Sequence, residues 1–175
     1  IVGSGFGGLC MAIKLKQAGI DSFTVFEKAE RLGGTWRANT YPGCECDIPS
    51  ALYSYSFAPY AEWPSKWSHQ PVILRYLDKC ADDFGVRPHL RLDTAVEEIR
   101  WDDAAKRWHL TTADGASEDF DVVVGATGQL SRPRFPNIPG RDDFSGVSFH
   151  SAEWDHGHDL RGRRVAVIGN AASAI

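Results

Sequence analysis

The 175 residues carry 43% hydrophobic and 24% charged side chains and a formal net charge of -4, enough chain for one domain with a real core and the edge of a second. That balance leaves no excess of positive charge to hold a polyphosphate backbone, so nucleic acid is excluded as a partner. No apolar run reaches the ~20 residues that cross a bilayer, and the chain opens on Ile1-Val2-Gly3 rather than on a basic segment with a signal-like core, so stable membrane association is not expected and a cytoplasmic protein is.

Ile1-Val2 feeds the loop Gly3-Ser4-Gly5-Phe6-Gly7-Gly8, which fits G-x-G-x-x-G. The glycines Gly3, Gly5, Gly7 and Gly8 permit a tight turn and let backbone N–H groups and a helix N-terminus approach a pyrophosphate with no Cβ in the way. A helix is predicted over residues 5–18, with Leu9, Ala12 and Ile13 on one face and Gly19 ending it. Residues 23–27 (FTVFE) read as a strand, and Glu27 closes it at the offset of about 20 residues where an acidic group accepts hydrogen bonds from an adenosine ribose. Strand, loop, helix, strand and acid in that order predict dinucleotide binding, without separating FAD from NAD. Leu32-Gly33-Gly34-Thr35-Trp36 follows directly, and its Gly-Gly lets a second stretch of backbone close over the phosphates of FAD, which NAD does not need.

From Pro71 to Phe84 the apolar positions Ile73, Leu74, Leu77, Cys80, Ala81 and Phe84 recur at three and four residues, and Gly85 ends the clearest helix in the chain. Residues 96–101, 107–112 and 117–120 read as short strands of an antiparallel meander, separated by polar turns at Asp102-Asp103 and Asp114-Gly115. Val122-Val123-Val124 reads as a fully apolar, buried strand. A proline-rich stretch with Pro133, Pro136 and Pro139-Gly140 suits a stiff connection between domains. Residues 164–168 (RVAVI) then start a second strand-to-loop unit, Gly169-Asn170-Ala171-Ala172-Ser173-Ala174.

Other groupings read as structural. Cys44-Glu45-Cys46-Asp47 lacks the second ligand pair of a tetrahedral zinc site, so no metal is expected. Cys10, Cys44, Cys46 and Cys80 fit no disulfide scaffold and are expected as reduced thiols. Trp63, Trp67, Trp101 and Trp108 are expected as core or meander packing, and the paired aspartates at 102–103 and 142–143 as turn and surface carboxylates.

Three motifs together carry a family resemblance: Gly3 to Gly8, Gly33-Gly34-Thr35-Trp36, and Tyr41-Pro42-Gly43 leading to Asp47. In this order the chain resembles the class B flavoprotein monooxygenases. The likeness continues through Trp67-Ser68-His69-Gln70 and Ala126-Thr127-Gly128 and covers essentially the whole chain. Phe144, Gly146, His150, Trp154 and Asp155 match the fingerprint of the type I Baeyer–Villiger branch. The related N- and S-oxygenating enzymes usually end that fingerprint in Tyr or Phe.

The resemblance implies an α/β fold: a Rossmann-like FAD-binding domain over residues 1–130, parallel sheet with small antiparallel meander, then a linker over 131–162. Residues 163–175 would begin a second Rossmann-like domain, for NADPH, and both chain ends are expected to cut through structural elements. It implies FAD held by Gly3, Gly5, Gly7, Gly8, Glu27, Gly33, Gly34, Thr35, Trp36, Asp47, Thr127 and Gly128, and NADPH held by Gly169, Ala171 and Ser173. Ala171 departs from the pattern, standing where a glycine lets backbone meet pyrophosphate. The implied reaction passes hydride from NADPH to FAD and, through a flavin C4a-peroxide, one oxygen atom of O2 to a small-molecule ketone, sulfide or amine. Asp47 would act there by holding an arginine from elsewhere in the protein. A flavin-dependent reductase or a non-catalytic FAD-binding module are the other readings. The reductase would need a cysteine pair where Thr35 and Trp36 stand.

Overall fold

Four stretches of chain run in parallel at the centre of the computed structural model, which describes residues 1–174. Strand β1 (Val25–Phe26) pairs with β2 (Leu90–Arg91) on one side, and Val2 bridges Phe26 on the other and Gly125 beyond it. The spatial order is therefore 90–91, 25–26, 2, 125. Backbone bonds close the ladder, with Val2 N donating to Val124 O, Ala126 N to Val2 O and Gly3 N to Phe26 O, at 2.8–2.9 Å.

Helix α1 (Phe6–Gln17) lies between the first two central strands in sequence and buries Gly8, Leu9, Ala12 and Ile13, the stripe that the periodicity predicts. Gly19, at φ +75°, ends it. Helix α3 (Gln70–Asp83) starts with Pro71 in its first turn, where a missing N–H costs nothing, and buries Ile73, Leu74, Tyr76, Leu77, Cys80 and Ala81. Ile73 and Leu77 are wholly buried against Val25, Leu9 and Ile13, a gain of about 2 kcal/mol each. Short helix α2 (Thr35–Ala38) carries Trp36 into the same core.

The meander forms as read: β3 (Val96–Asp102), β4 (Arg107–Thr112) and β5 (Ser117–Phe120) pair antiparallel, with Trp101 opposite Trp108. Phe120 meets the edge of Phe26, and Arg91 pairs with Glu118, so the meander is fastened to the parallel sheet. Asp102 and Asp103 serve the turn, Asp102 accepting from the Ala104 and Ala105 N–H groups. All four cysteines are free thiols.

The structure departs from the sequence reading in several places. Residues 122–124 are not a buried strand: Val122 is 72% exposed, because this stretch has a neighbour on one side only, through Val124 and Ala126. Residues 164–168 form no strand, and Val165, Val167 and Ile168 stay exposed, since no backbone ladder reaches them among the described residues. Trp67 is not core but lies 43% exposed with the Lys66 ammonium over its ring. Strand β2 was not read, being two residues hidden behind Pro88. Among the described residues no helix is long and apolar enough to cross a membrane. Ile175, the last residue of the expected second domain, lies outside the described residues.

Candidate functional site

The turn from Val2 into α1, with Gly5 at the cap position, leaves the first N–H groups of the helix unclaimed by any side chain among the described residues. Such uncapped donors at the positive end of a helix dipole attract an anion. At residue 8 only glycine fits, because a Cβ there would overlap the carbonyl oxygen of Gly3. The second glycine pair closes on the first. Gly33 N donates to Ser4 O at 3.1 Å, and a Cβ on Gly34, at φ +55°, would come within 2.8 Å of Gly5 Cα. Backbone thus faces backbone across residues 5 and 34, a surface free of side chains that suits a diphosphate.

Glu27 sits beside this surface, 7% exposed. Its Oε2 accepts from Ser4 N at 3.0 Å and from Ser4 Oγ at 2.6 Å, and its Oε1 accepts from Ala29 N at 3.0 Å. A buried carboxylate without a cation is tolerable only with such donors. The sequence reading missed Ser4. A hydroxyl at an unconstrained position of the glycine motif, next to a strand that ends in an acid, was the available signal.

The segment from Tyr41 to Asp47 is held by the chain before α3. Cys46 N donates to Ser68 O at 3.0 Å, Gln70 N to Cys44 O at 2.8 Å, and the Gln70 side chain to Trp36 O. Trp36 Nε1 in turn donates to Tyr53 Oη at 3.1 Å. Gln70 is therefore a buried brace between α2 and this segment, read in sequence only as part of a motif. Asp47 is exposed, and no hydrogen bond or ion pair reaches its carboxylate among the described residues. Burial pushes the Tyr53 hydroxyl up, and the thiols of Cys44 and Cys46 likewise.

The fingerprint segment folds back onto this site. Trp154 lies 6.3 Å from the Tyr41 ring and 5.0 Å from Phe149, and His156 Nε2 meets Thr40 Oγ1 at 2.8 Å. His150 Nδ1 accepts from Ala152 N at 3.0 Å and its ring meets Phe135 edge-on, while Asp155 accepts from Gly157 N at 2.9 Å. Phe144 is exposed, and Gly146 passes so close to its ring that a Cβ would clash. His150 and Phe144 therefore shape the linker, and Trp154 with His156 attaches it.

Thr127 and Gly128 are exposed beyond Ala126, whose carbonyl oxygen would lie 2.5 Å from a Cβ on Gly3. In the second loop Gly169 adopts φ +133°, a conformation that favours glycine, and Ala171 O accepts from Ala174 N at 2.8 Å in a single 3-10 turn. Burial pushes the Tyr41 hydroxyl up. A cleft of about 590 Å³ between α2 and α3 is lined by Arg37, Gln70, Leu74 and Asp78. No group of three or more potential metal ligands occurs among the described residues.

Comparison with known proteins bears on this arrangement. The pyridine nucleotide-disulphide oxidoreductase family matches residues 1–175. A Baeyer-Villiger monooxygenase of Streptomyces coelicolor is 55% identical over 175 residues, which is 100% of this chain and 34% of that protein. The open crystal structure of cyclohexanone monooxygenase is similar at a TM-score of 0.88 and 39% identity, over 99% of this chain and 35% of that one. A structure of OTEMO in complex with FAD and NADP is similar at 0.88 and 37%, over 98% of this chain and 34% of that one. The chain thus spans about a third of the length of the relatives it matches.

Proposed function

The chain belongs to the pyridine nucleotide-disulphide oxidoreductase family, and from that premise we propose that it is the flavin-holding part of an FAD- and NADPH-dependent monooxygenase that inserts one oxygen atom of O2 into a ketone. The observation that carries this reading is the meeting of Gly5 with Gly34 beside the buried Glu27. Two bare stretches of backbone and an acid are what a cofactor with a diphosphate and an adenosine ribose requires.

When bound, the flavin supplies the redox and oxygen chemistry, and the protein supplies position and charge. Gly3, its own N–H held by Phe26, turns the chain so that Gly5, Gly7 and Gly8 present backbone N–H groups to the diphosphate, Gly33, Gly34 and Thr35 cover it from the other side, and Trp36 anchors that cover in the core. Glu27 accepts from the ribose. Thr127 and Gly128, following the Gly125 bridge beside Val2, line the same edge. Asp47, whose carboxylate is free of partners among the described residues, receives an arginine fork from elsewhere in the full-length protein and holds that charge where negative charge develops. Gly169, Ala171 and Ser173 hold NADPH. Trp154 docks the linker on Tyr41 and Asp155 holds the turn that follows, so that the second nucleotide loop is presented to the first.

The similarity to proteins named Baeyer-Villiger and cyclohexanone monooxygenase supports ketone oxygenation, as does Trp154 in the fingerprint. The second reading is N- or S-oxygenation, the reaction of the sister branch. Disulfide reduction is disfavoured, because Cys44, Cys46 and Cys80 are buried thiols held above their usual range, opposite to what a redox-active thiolate needs. The free thiols also support a cytoplasmic location. Conversion of a panel of cyclic and aryl ketones, sulfides and amines by the full-length protein, with NADPH and O2, tests the proposal. Lactone or ester formation from ketones is expected. Oxidation of amines with every ketone inert would replace it with the second reading.

A further inference from the structure

The carboxylate of Glu27 has four in-plane positions at which it can accept a hydrogen bond, two on each oxygen. Three are taken by donors among the described residues. Oε2 receives both Ser4 N at 3.0 Å and Ser4 Oγ at 2.6 Å, which fills it, and Oε1 receives Ala29 N at 3.0 Å. One position remains, on Oε1. The pins are firm, since Ser4 is 1% exposed, its N–H and hydroxyl converge on one atom, and its own carbonyl is held by Gly33 N at 3.1 Å. Rotating the carboxylate to offer Oε2 would strand two buried donors, which costs more than one ribose bond returns.

Resting on the cofactor reading above, we propose that Ser4 is a positioning residue that limits Glu27 to one hydrogen bond with the adenosine ribose, so that this chain reads one of the two ribose hydroxyls and not the other. Ser4 also links the two glycine loops to the acid: its carbonyl holds the Gly33 loop while its hydroxyl holds Glu27. The hydroxyl therefore sets which oxygen faces the cofactor. Replacing it by a methyl frees a position on Oε2 and turns a one-point contact into a two-point one.

The test uses the full-length protein stripped of flavin and titrated, by quenching of flavin fluorescence, with FAD and with two analogues carrying 2′-deoxyadenosine or 3′-deoxyadenosine. The wild type should bind one analogue about tenfold more weakly than FAD and the other within twofold of it, the difference of one hydrogen bond. In Ser4→Ala the second analogue should lose affinity as well, bringing the two penalties together. A merely structural Ser4 would lower the melting temperature and leave the ratio between the analogues as it was. Equal penalties in the wild type, which need no variant to measure, overturn the inference, and so does a ratio unchanged in Ser4→Ala. Failure of FAD itself to rebind the refolded wild type removes the cofactor reading and the inference with it, a result distinct from either of those.

Discussion

The chain contains two glycine loops of the same type, and they stand in different surroundings. The loop at residues 3–8 springs from the middle of a parallel sheet, meets a second glycine pair at Gly34, and has a buried acid fixed beside it by three donors. The loop at residues 169–174 follows a stretch with no ladder among the described residues, its apolar side chains exposed up to 69% at Ile168. A glycine motif is therefore a backbone instruction only. What makes a phosphate cradle is the sheet that feeds it, the second backbone that closes it and the acid alongside.

The comparison is broken most sharply by adding one methyl group to each loop. Gly8→Ala puts a Cβ onto the Gly3 carbonyl, a backbone atom that no rotamer change can clear. It should cost about 3 kcal/mol, lower the melting temperature by about 10 °C and empty the protein of flavin, read by absorbance and differential scanning. Gly169→Ala meets nothing nearer than the Ala174 side chain at 3.8 Å, so only the φ of +133° is strained. About 1 kcal/mol is expected there, with flavin content unchanged and NADPH affinity reduced. Equal losses from both would erase the distinction.

Asp47→Ala sharpens the same contrast, because Asp47 belongs to the first region by position and supports nothing in it among the described residues. Flavin reduction by NADPH, followed by stopped flow in the full-length variant, should slow by roughly tenfold with the melting temperature within a few degrees. A normal rate with normal product yield would return Asp47 to an ordinary surface carboxylate.

The smallest expected effect concerns pH. Burial holds the thiols of Cys44, Cys46 and Cys80 above their usual range, so the folded state favours their neutral form. Their contribution is complete below the unfolded thiol value of about 8.5 and is lost as pH rises past it. Denaturant titrations at pH 7.5 and 9.5 should show lower stability at the higher pH, and the folded protein should resist alkylation at these three sites. Equal stability at both values would mean the thiols are not sheltered.

How much of this was legible in the sequence follows the same division. Helices α1 and α3, the meander and Glu27 were readable because each is fixed by local pattern: a 3.6-residue stripe, paired short strands, an acid ending a strand. Residues 122–124 and 164–168 misled because an apolar run reports a wish for neighbours, not their presence. Val122, just before the short stretch that pairs on one side with Val2, and Ile168, with no partner strand among the described residues, stay exposed. Strand β2 was missed because two residues carry no period. Ser4 and Gln70 were missed as individuals because their partners lie 23 and 34 residues away, and only the fold brings them together.

The proposed hold of the Gly5, Gly34 and Glu27 surface on FAD stands or falls with the acid. Glu27→Ala takes away the ribose acceptor and leaves the two glycine loops in place. Titration of the flavin-free full-length variant with FAD should give a Kd about tenfold or more above that of the wild type, the equivalent of about 1–3 kcal/mol. A folded variant that binds FAD as tightly as the wild type would contradict the assignment.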